Sequence, residues 1–385
     1  MASPLSCILM MCARAIEGGR LDFADSLLAE IQSLASKEES IWTRKVVKYF
    51  AEALVRRAYR IRPPCTLPSL PLRCEPFEYM YEPFYEFATI TSKHAIADAL
   101  NSGYKRLHII DFSIMYDFWW WNSLIKELKE QYVGLHSVLI TSITPKLSKH
   151  SNRLRINQER ARQFGGTNLE LRQLLCNRPD DIVNCISKLR RKRKDEIVVV
   201  NWTFTLHKLL AQDGAMEQVL SKVKDLEADI MVIVEQEANL NSPDLSERLE
   251  QSFQYYSPFF ESLEEDYDSD VLWEMYFRRQ IGNVVACEGV DRVERIESFA
   301  HWQNRLSQAG FCPVPQHGFV DMFKIGFPFG LEKFGIEEKE GHILLRWHGF
   351  PLAVASVWKF TGHLSFLFSC YTNYSSISSL CVFSL

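Results

Sequence analysis

Lys105-Arg106-Leu107-His108-Ile109-Ile110-Asp111-Phe112 decides the fold class: two cations lead into a short apolar run that closes on an acid. A run that is continuous rather than alternating fits a strand buried on both faces. Similar runs follow at His136–Ile143 (HSVLITSI), Ile197–Asn201 (IVVVN) and Asp229–Glu235 (DIMVIVE). Between them lie helix-like segments, Asn122–Gln131, Asp181–Leu189 and Ala215–Leu226. Strands of this kind alternating with helices predict a doubly wound α/β architecture around a mostly parallel sheet.

Toward the N-terminus the period changes to that of helices. Leu5, Ile8, Leu9, Cys12, Ala13 and Ile16 form one apolar stripe, closed by Gly18-Gly19. Leu21, Ala24, Leu27, Leu28, Ile31 and Leu34 make a second stripe, and Trp42, Val46, Tyr49, Phe50, Ala53 and Leu54 a third. Three short helices with wide apolar faces must bury them on each other or on a neighbour. Residues 1–60 are therefore expected to form a helical cap, and residues 79–360 the α/β core. Residues 61–78, rich in Pro and Cys, read as the loop leaving the cap.

Toward the C-terminus, Gly310-Phe311-Cys312-Pro313 opens an extended region. His342–His348 (HILLRWH) and Leu352–Trp358 (LAVASVW) flank Gly349-Phe350-Pro351, which predicts an antiparallel hairpin. Such a hairpin at the end of a parallel sheet resembles the layout of class I methyltransferases. Topology alone does not fix activity.

Composition narrows the function classes. The 385 residues are 47% hydrophobic and 24% charged, the balance of a globular chain, which argues against long disorder or collagen-like architecture. A formal charge of -4 lacks the basic excess of a protein that blankets phosphates, so strong stand-alone nucleic-acid binding is disfavoured. The ten cysteines are spread along the chain with no CxxC pair. Cys7, Cys12 and Cys185 sit in apolar helical patterns, which points to free thiols in a reducing compartment. The start, MASPLSCILMMCARA, has no basic n-region, and no signal peptide is expected. No window offers the roughly 20 apolar residues of a membrane span, so the reading is a soluble, intracellular protein.

A dinucleotide or S-adenosylmethionine site usually needs glycines after the first strand, so that backbone can approach the cofactor. Here residues 111–121 read DFSIMYDFWWW, without glycine and crowded with rings, which argues against such a site. Asp111, Asn201 and Glu235 should lie near the carboxyl ends of strands. They could line a small-ligand pocket or form an acid pair; alternatively they cap helix termini and pair with Arg. No HExxH, GxSxG or P-loop pattern occurs, and single histidines such as His207 and His348 are expected as hydrogen-bonded core residues. Lys188–Lys194 (KLRRKRK) places Lys188, Arg190, Arg191, Lys192, Arg193 and Lys194 in one run. It reads as a nuclear import signal, a phosphate-contact patch, or a solvated helix end. Leu206-His207-Lys208-Leu209-Leu210 matches LxxLL, a helical docking pattern that also occurs as ordinary core. Trp119–Trp121 cannot all face one way on a helix, which makes one ring either an anchor or local packing.

Taken together, these segments resemble the GRAS family of plant transcriptional regulators, which includes the DELLA and scarecrow-like proteins. The match runs over roughly residues 5–360 in the family's motif order. Leu5–Leu54, with YFAEAL at 49–54, is similar to the first leucine-rich region. Leu107, His108, Ile109, Ile110 and Asp111 resemble the VHIID signature, and NWTFTLHKLL at 201–210 opens a second leucine-rich region. VEQEAN at 234–239 is a specific match. Tyr255 and Tyr256, with FFESL at 259–263, resemble the FY part of the PFYRE region, and Arg292, Glu294 and Arg295 its RE part. Trp347, Ser356, Val357 and Trp358 resemble the SAW motif.

The chain departs from the pattern at Asp117, where the family usually has glycine, and at Trp119-Trp120, where it has Gln-Trp. SAW is here Ser-Val-Trp, and residues 361–385 read as a divergent tail. A DELLA-type hormone-sensing segment is not expected. The resemblance implies a methyltransferase-like core with a helical cap, no cofactor and no enzymatic activity. It implies a nuclear regulator acting through protein–protein contacts, as homo- or heterodimers with other GRAS proteins and on DNA-binding transcription factors. DNA contact would be weak or indirect, with no membrane association. The alternative is a small-molecule-binding or S-adenosylmethionine-dependent methyltransferase-like protein. Arg292, Glu294 and Arg295 are expected to pair with neighbouring opposite charges ahead of a helix at Phe299–Leu306.

Overall fold

The computed structural model describes residues 4–61, 82–100, 104–112, 121, 124–126, 128, 130, 132, 134–144, 159, 168–176, 178–189, 194–264, 271–316, 318–327 and 333–360. Strands β1 (Arg106–Asp111), β2 (Ser137–Thr144), β3 (Asn168–Leu175), β4 (Glu196–Thr203) and β5 (Ile230–Gln236) form the parallel part of the sheet. β6 (Phe311–Pro313), β7 (Phe334–Lys339), β8 (His342–Trp347) and β9 (Phe350–Phe360) complete it with antiparallel pairings. The order is β3-β2-β1-β4-β5-β9-β8-β7, with β6 beside β9. The 3-2-1-4-5 core reverses direction between β1 and β4, the place where doubly wound folds form their crevice.

Side-chain alternation explains the continuous apolar runs. Leu107 and Ile109 of β1, Ile197 and Val199 of β4, and Val232 and Val234 of β5 enter one core cluster. Ile110, Val198, Val200, Met231 and Ile233 enter a second cluster on the opposite face. Both faces of the central strands are covered, which is why apolar residues run on without a polar alternation.

The three N-terminal helices are α1 (Pro4–Glu17), α2 (Leu21–Lys37) and α3 (Ile41–Ala58). Their stripes are buried largely as read, except that Leu21 is exposed. Ser40 caps α3 through Thr43 N at 3.2 Å. The partners of this unit come from far along the chain. α3 packs on helices Leu245–Glu264 and Val271–Ala286, and α1 on the first of these. A helix not foreseen, α4 (Glu82–Leu100), carries Phe87, Thr91 and Ile96 against the core and contacts β4, β5 and β9.

The remaining helices are α5 (Pro179–Lys188), α6 (Leu206–Leu209), α7 (Ala215–Asp225), α8 (Leu245–Glu264), α9 (Val271–Ala286), α10 (Phe299–Gln308) and α11 (Phe319–Gly326). The segment expected as helix over Asn122–Gln131 is helical at its described positions, with Leu124, Ile125 and Leu128 buried.

The C-terminal hairpin turns at His348-Gly349, two residues with φ of 45° and 83°, rather than at Gly349-Phe350-Pro351. Two consecutive positive φ values match the right-handed twist of the strands they join. Phe350 and Pro351 belong to β9. His348 is consequently exposed at the turn and not a core histidine. Residues 62–81 and 361–385, including the expected loop and tail, lie outside the described residues.

Candidate functional site: the motifs as one buried network

The VHIID-like segment is β1 itself, paired with β2 and β4. Leu107, Ile109 and Ile110 are core, and His108 Nε2 meets Thr141 Oγ1 of β2 at 2.9 Å. Asp111 stands at the end of the strand, 2% exposed. Its Oδ1 accepts from Asn201 Nδ2 at 3.0 Å and its Oδ2 from Trp121 Nε1 at 3.1 Å. Asn201 Oδ1 in turn accepts from Ser92 Oγ of α4 at 3.1 Å. The next residue along each strand turns to the opposite face, where the Phe112 and Trp202 rings stack with centroids 3.8 Å apart. At the topological switch point, polar groups that would face a ligand in a nucleotide-binding fold are therefore engaged with one another. Residues 113–120, with Asp117, Trp119 and Trp120, lie outside the described residues; Trp121 is buried.

Glu235, at the end of β5, serves as a helix cap. Its Oε1 accepts from Leu206 N at 2.6 Å, at the start of α6, and its Oε2 meets His207 Nδ1 at 2.7 Å. The helix-capping reading describes Glu235, while its second partner is a histidine and not Arg. Leu206 and Leu209 are buried, and Leu210 packs against the same core, so the LxxLL pattern is core and not a docking edge.

VEQEAN, the FY pair and the RE pair meet beside it. Gln236 Nε2 donates to Gln280 Oε1 at 3.1 Å, and Gln280 Nε2 returns to Gln236 Oε1 at 2.9 Å. Tyr256 Oη donates to Gln280 Oε1 at 2.7 Å, while Tyr255 Oη donates to Leu352 O of β9 at 2.8 Å. Burial pushes the Tyr256 phenol well above its ordinary range, so it stays a neutral donor. Burial likewise pushes the Glu237 carboxyl up to about 7, although it accepts from Phe299 N at 2.8 Å at the start of α10.

Arg292, Glu294 and Arg295 do not pair with one another. Glu294 is buried; burial raises its pKa, but Lys208, His207, Arg279 and the Gln280 side chain outweigh that and hold the carboxyl below 4.5. Arg292 Nη2 donates to Asn241 Oδ1 at 3.0 Å, and Arg295 Nη1 reaches the same oxygen at 3.3 Å. Burial, with Arg248 and Arg295 nearby, lowers the Arg292 guanidinium to about 10. Arg248, a residue no motif pointed to, is wholly buried and holds Val284 O at 2.7 Å, Ser242 O at 2.6 Å and the Glu288 carboxylate. Glu288 also accepts from Arg57 of α3 at 2.8 Å, which ties the N-terminal helices into the cluster.

In the SAW-like segment Trp358 Nε1 donates to Ser356 Oγ at 2.9 Å, while Val357 sits opposite Val232 of β5. Trp347 is buried against Phe334, with ring centroids 4.8 Å apart. These residues weld the antiparallel hairpin to the parallel sheet. The basic run is apart from all this: Lys188 ends α5 and Lys194 lies in the turn before β4, while Arg190, Arg191, Lys192 and Arg193 lie outside the described residues.

Ser92, Gln280, Asn241 and Arg248 are the site residues that pattern reading missed. Each sits among other polar residues with nothing local to single it out, and only pairing with distant segments gives it a role. Among the described residues, no group of three or more His, Cys, Asp or Glu could hold a metal ion, and no helix is long and apolar enough to cross a membrane.

The GRAS domain family model matches residues 5–359. The DELLA protein GAIP of Cucurbita maxima is 39% identical over 361 residues, covering 91% of this chain and 62% of that protein. The DELLA protein RGA of Arabidopsis thaliana is 36% identical over 368 residues, covering 91% and 61%. The chain thus spans under two thirds of the length of these relatives. The crystal structure of SCL7 in Oryza sativa superposes with a TM-score of 0.76 at 25% identity, covering 93% of this chain and 100% of that one. The motif order, the mixed sheet and these likenesses agree: the chain belongs to the GRAS domain family.

Proposed function

We propose that this chain is a plant transcriptional regulator, acting in the nucleus through contacts with other proteins rather than through catalysis. Its partners are other GRAS proteins, in homo- or heterodimers, and DNA-binding transcription factors; DNA is contacted weakly or indirectly. The observation that carries this reading, beside family membership, is the use of the switch-point groups. Both oxygens of Asp111 are held by Asn201 and Trp121, and the VEQEAN, FY and RE residues bond internally. A fold whose characteristic polar residues are spent on its own rigidity presents surface, not chemistry.

Two measurements test this. Tethered to a heterologous DNA-binding domain in plant cells, the chain is expected to change output from a reporter carrying that domain's site; an unchanged output contradicts the reading. The methyltransferase alternative is tested by thermal unfolding with S-adenosylmethionine at millimolar concentration. No shift in melting temperature is expected, because only a ligand bound to the native state moves the transition. A rise of several degrees would instead establish a working cofactor pocket.

A further inference from the structure

Cys176 follows the last residue of β3, the edge strand of the sheet, and Cys185 lies on α5, the helix that comes next along the chain. Their sulfurs are 3.2 Å apart, with the Cys176 thiol donating to Cys185 Sγ. Both are free thiols, Cys176 buried and Cys185 half-buried. Both belong to the apolar core on one face of the sheet, Cys176 as a buried member and Cys185 packed against it with Ile182 and Val183. A disulfide needs about 2.05 Å between sulfurs, so side-chain rotation through roughly 1 Å suffices to reach bonding distance.

We propose that Cys176 and Cys185 form a reversible disulfide on exposure to a peroxide, a modification site between the end of the edge strand and the helix that follows it. The two sulfurs have different tasks. Burial, the hydrogen bond to Cys185 and the nearby Asp181 push the Cys176 thiol up, so it keeps its proton. Cys185, more exposed and already accepting a hydrogen bond, is the sulfur that meets the oxidant. Its thiolate attacks one peroxide oxygen, the O–O bond breaks, and a sulfenic acid and hydroxide result. Cys176 sulfur then attacks Cys185 sulfur, expelling the sulfenic hydroxyl, which leaves as water with the Cys176 proton. In sum, two thiols and one hydrogen peroxide give one disulfide and two waters; the sulfurs lose two electrons and the peroxide oxygens gain them. A dithiol reductant reverses the bond. The bridge would fasten α5, which packs on α7, to the edge of the sheet.

The test uses the full chain, reduced, desalted and treated with graded hydrogen peroxide, then quenched in acid and alkylated before digestion and mass spectrometry. The expected product is a Cys176–Cys185 cross-linked peptide that rises with peroxide and disappears with dithiothreitol. Dimedone, which captures sulfenic acids, should label Cys185 about tenfold more in Cys176→Ser than in the unmodified protein, because the resolving thiol is gone. In Cys185→Ser, Cys176 should remain alkylatable. Full alkylation of both cysteines after peroxide in the unmodified, still-folded protein would overturn the proposal. So would preferential bridging of Cys185 to any other cysteine, or equal dimedone labelling with and without Cys176.

Discussion

Replacing Arg248 by alanine is expected to cost about 3–5 kcal/mol of stability, the range for breaking a buried charged pair. The side chain is 0% exposed and its guanidinium holds Val284 O, Ser242 O and the Glu288 carboxylate together. Truncation leaves two carbonyls without their donor and a cavity where the longest side chain of α8 lay. Glu288→Ala leaves the Arg248 guanidinium with both carbonyl acceptors, whereas Arg248→Ala removes every one of these bonds, so Glu288→Ala should cost clearly less than Arg248→Ala. The effect should extend to the N-terminal helices, because Arg57 of α3 shares Glu288. Urea unfolding of the two variants checks both magnitude and order. Equal, small costs would mean that the carbonyls of residues 242 and 284 find other donors.

The second large effect is expected at Glu294. Its carboxylate is buried near Lys208, His207 and Arg279, and removing it takes a negative charge out of that basic surrounding. Glu294→Ala should cost about 3–5 kcal/mol and lower the yield of folded protein. Glu294→Gln separates charge from shape, since an amide can keep the Gln280 contact. The pH dependence follows from the sign of the shift. The folded carboxyl titrates below its ordinary value of 4.5, so its contribution is present above that pH and is lost as pH falls through the folded value. Comparing denaturation midpoints at pH 7 and pH 4 should therefore show the gap between the native protein and Glu294→Gln narrowing in acid. A gap that is constant with pH would assign the role to shape and not to charge. Normal stability with loss of one partner would make Glu294 a recognition residue.

Much of the architecture was legible because strands buried on both faces have only one way to read. β1, β2, β4 and β5 are each mostly apolar without polar alternation, and the first three helices each carry one apolar stripe. α4 escaped for the opposite reason. Phe84, Phe87, Thr89, Ile90, Thr91, Ser92, Ala95 and Ile96 are all buried, so the helix is enclosed nearly all round and has no stripe. β3 escaped as an edge strand: Leu169 and Leu171 are half-buried while Glu170 and Leu175 face outward, a pattern too weak to separate strand from loop. The hairpin was placed one to two residues late because Gly-Phe-Pro draws the eye, while His348 takes a left-handed conformation no composition rule announces. At the site, Asp111 and Glu235 were visible as acids at strand ends. Their partners were not, since Asn201 and Trp121 meet Asp111, and His207 meets Glu235, only through the fold.

The proposed weak or indirect contact with DNA rests on charge. A formal charge of -4 gives no whole-molecule attraction to a duplex at physiological salt. The run Lys188–Lys194 can still touch a few phosphates, and a dimer would present it twice. Each neutralised phosphate contributes a slope of about -0.9 in log affinity against log salt. The most direct measurement is a salt titration of promoter-fragment binding by the purified protein, repeated with the Lys188–Lys194 cations replaced by neutral residues. Binding that is weak, collapses by about 0.2 M salt and disappears with those charges is the result predicted for a regulator recruited through protein partners. Tight, sequence-selective binding that survives both the salt and the substitutions would show that the chain reads DNA itself, and would contradict the account.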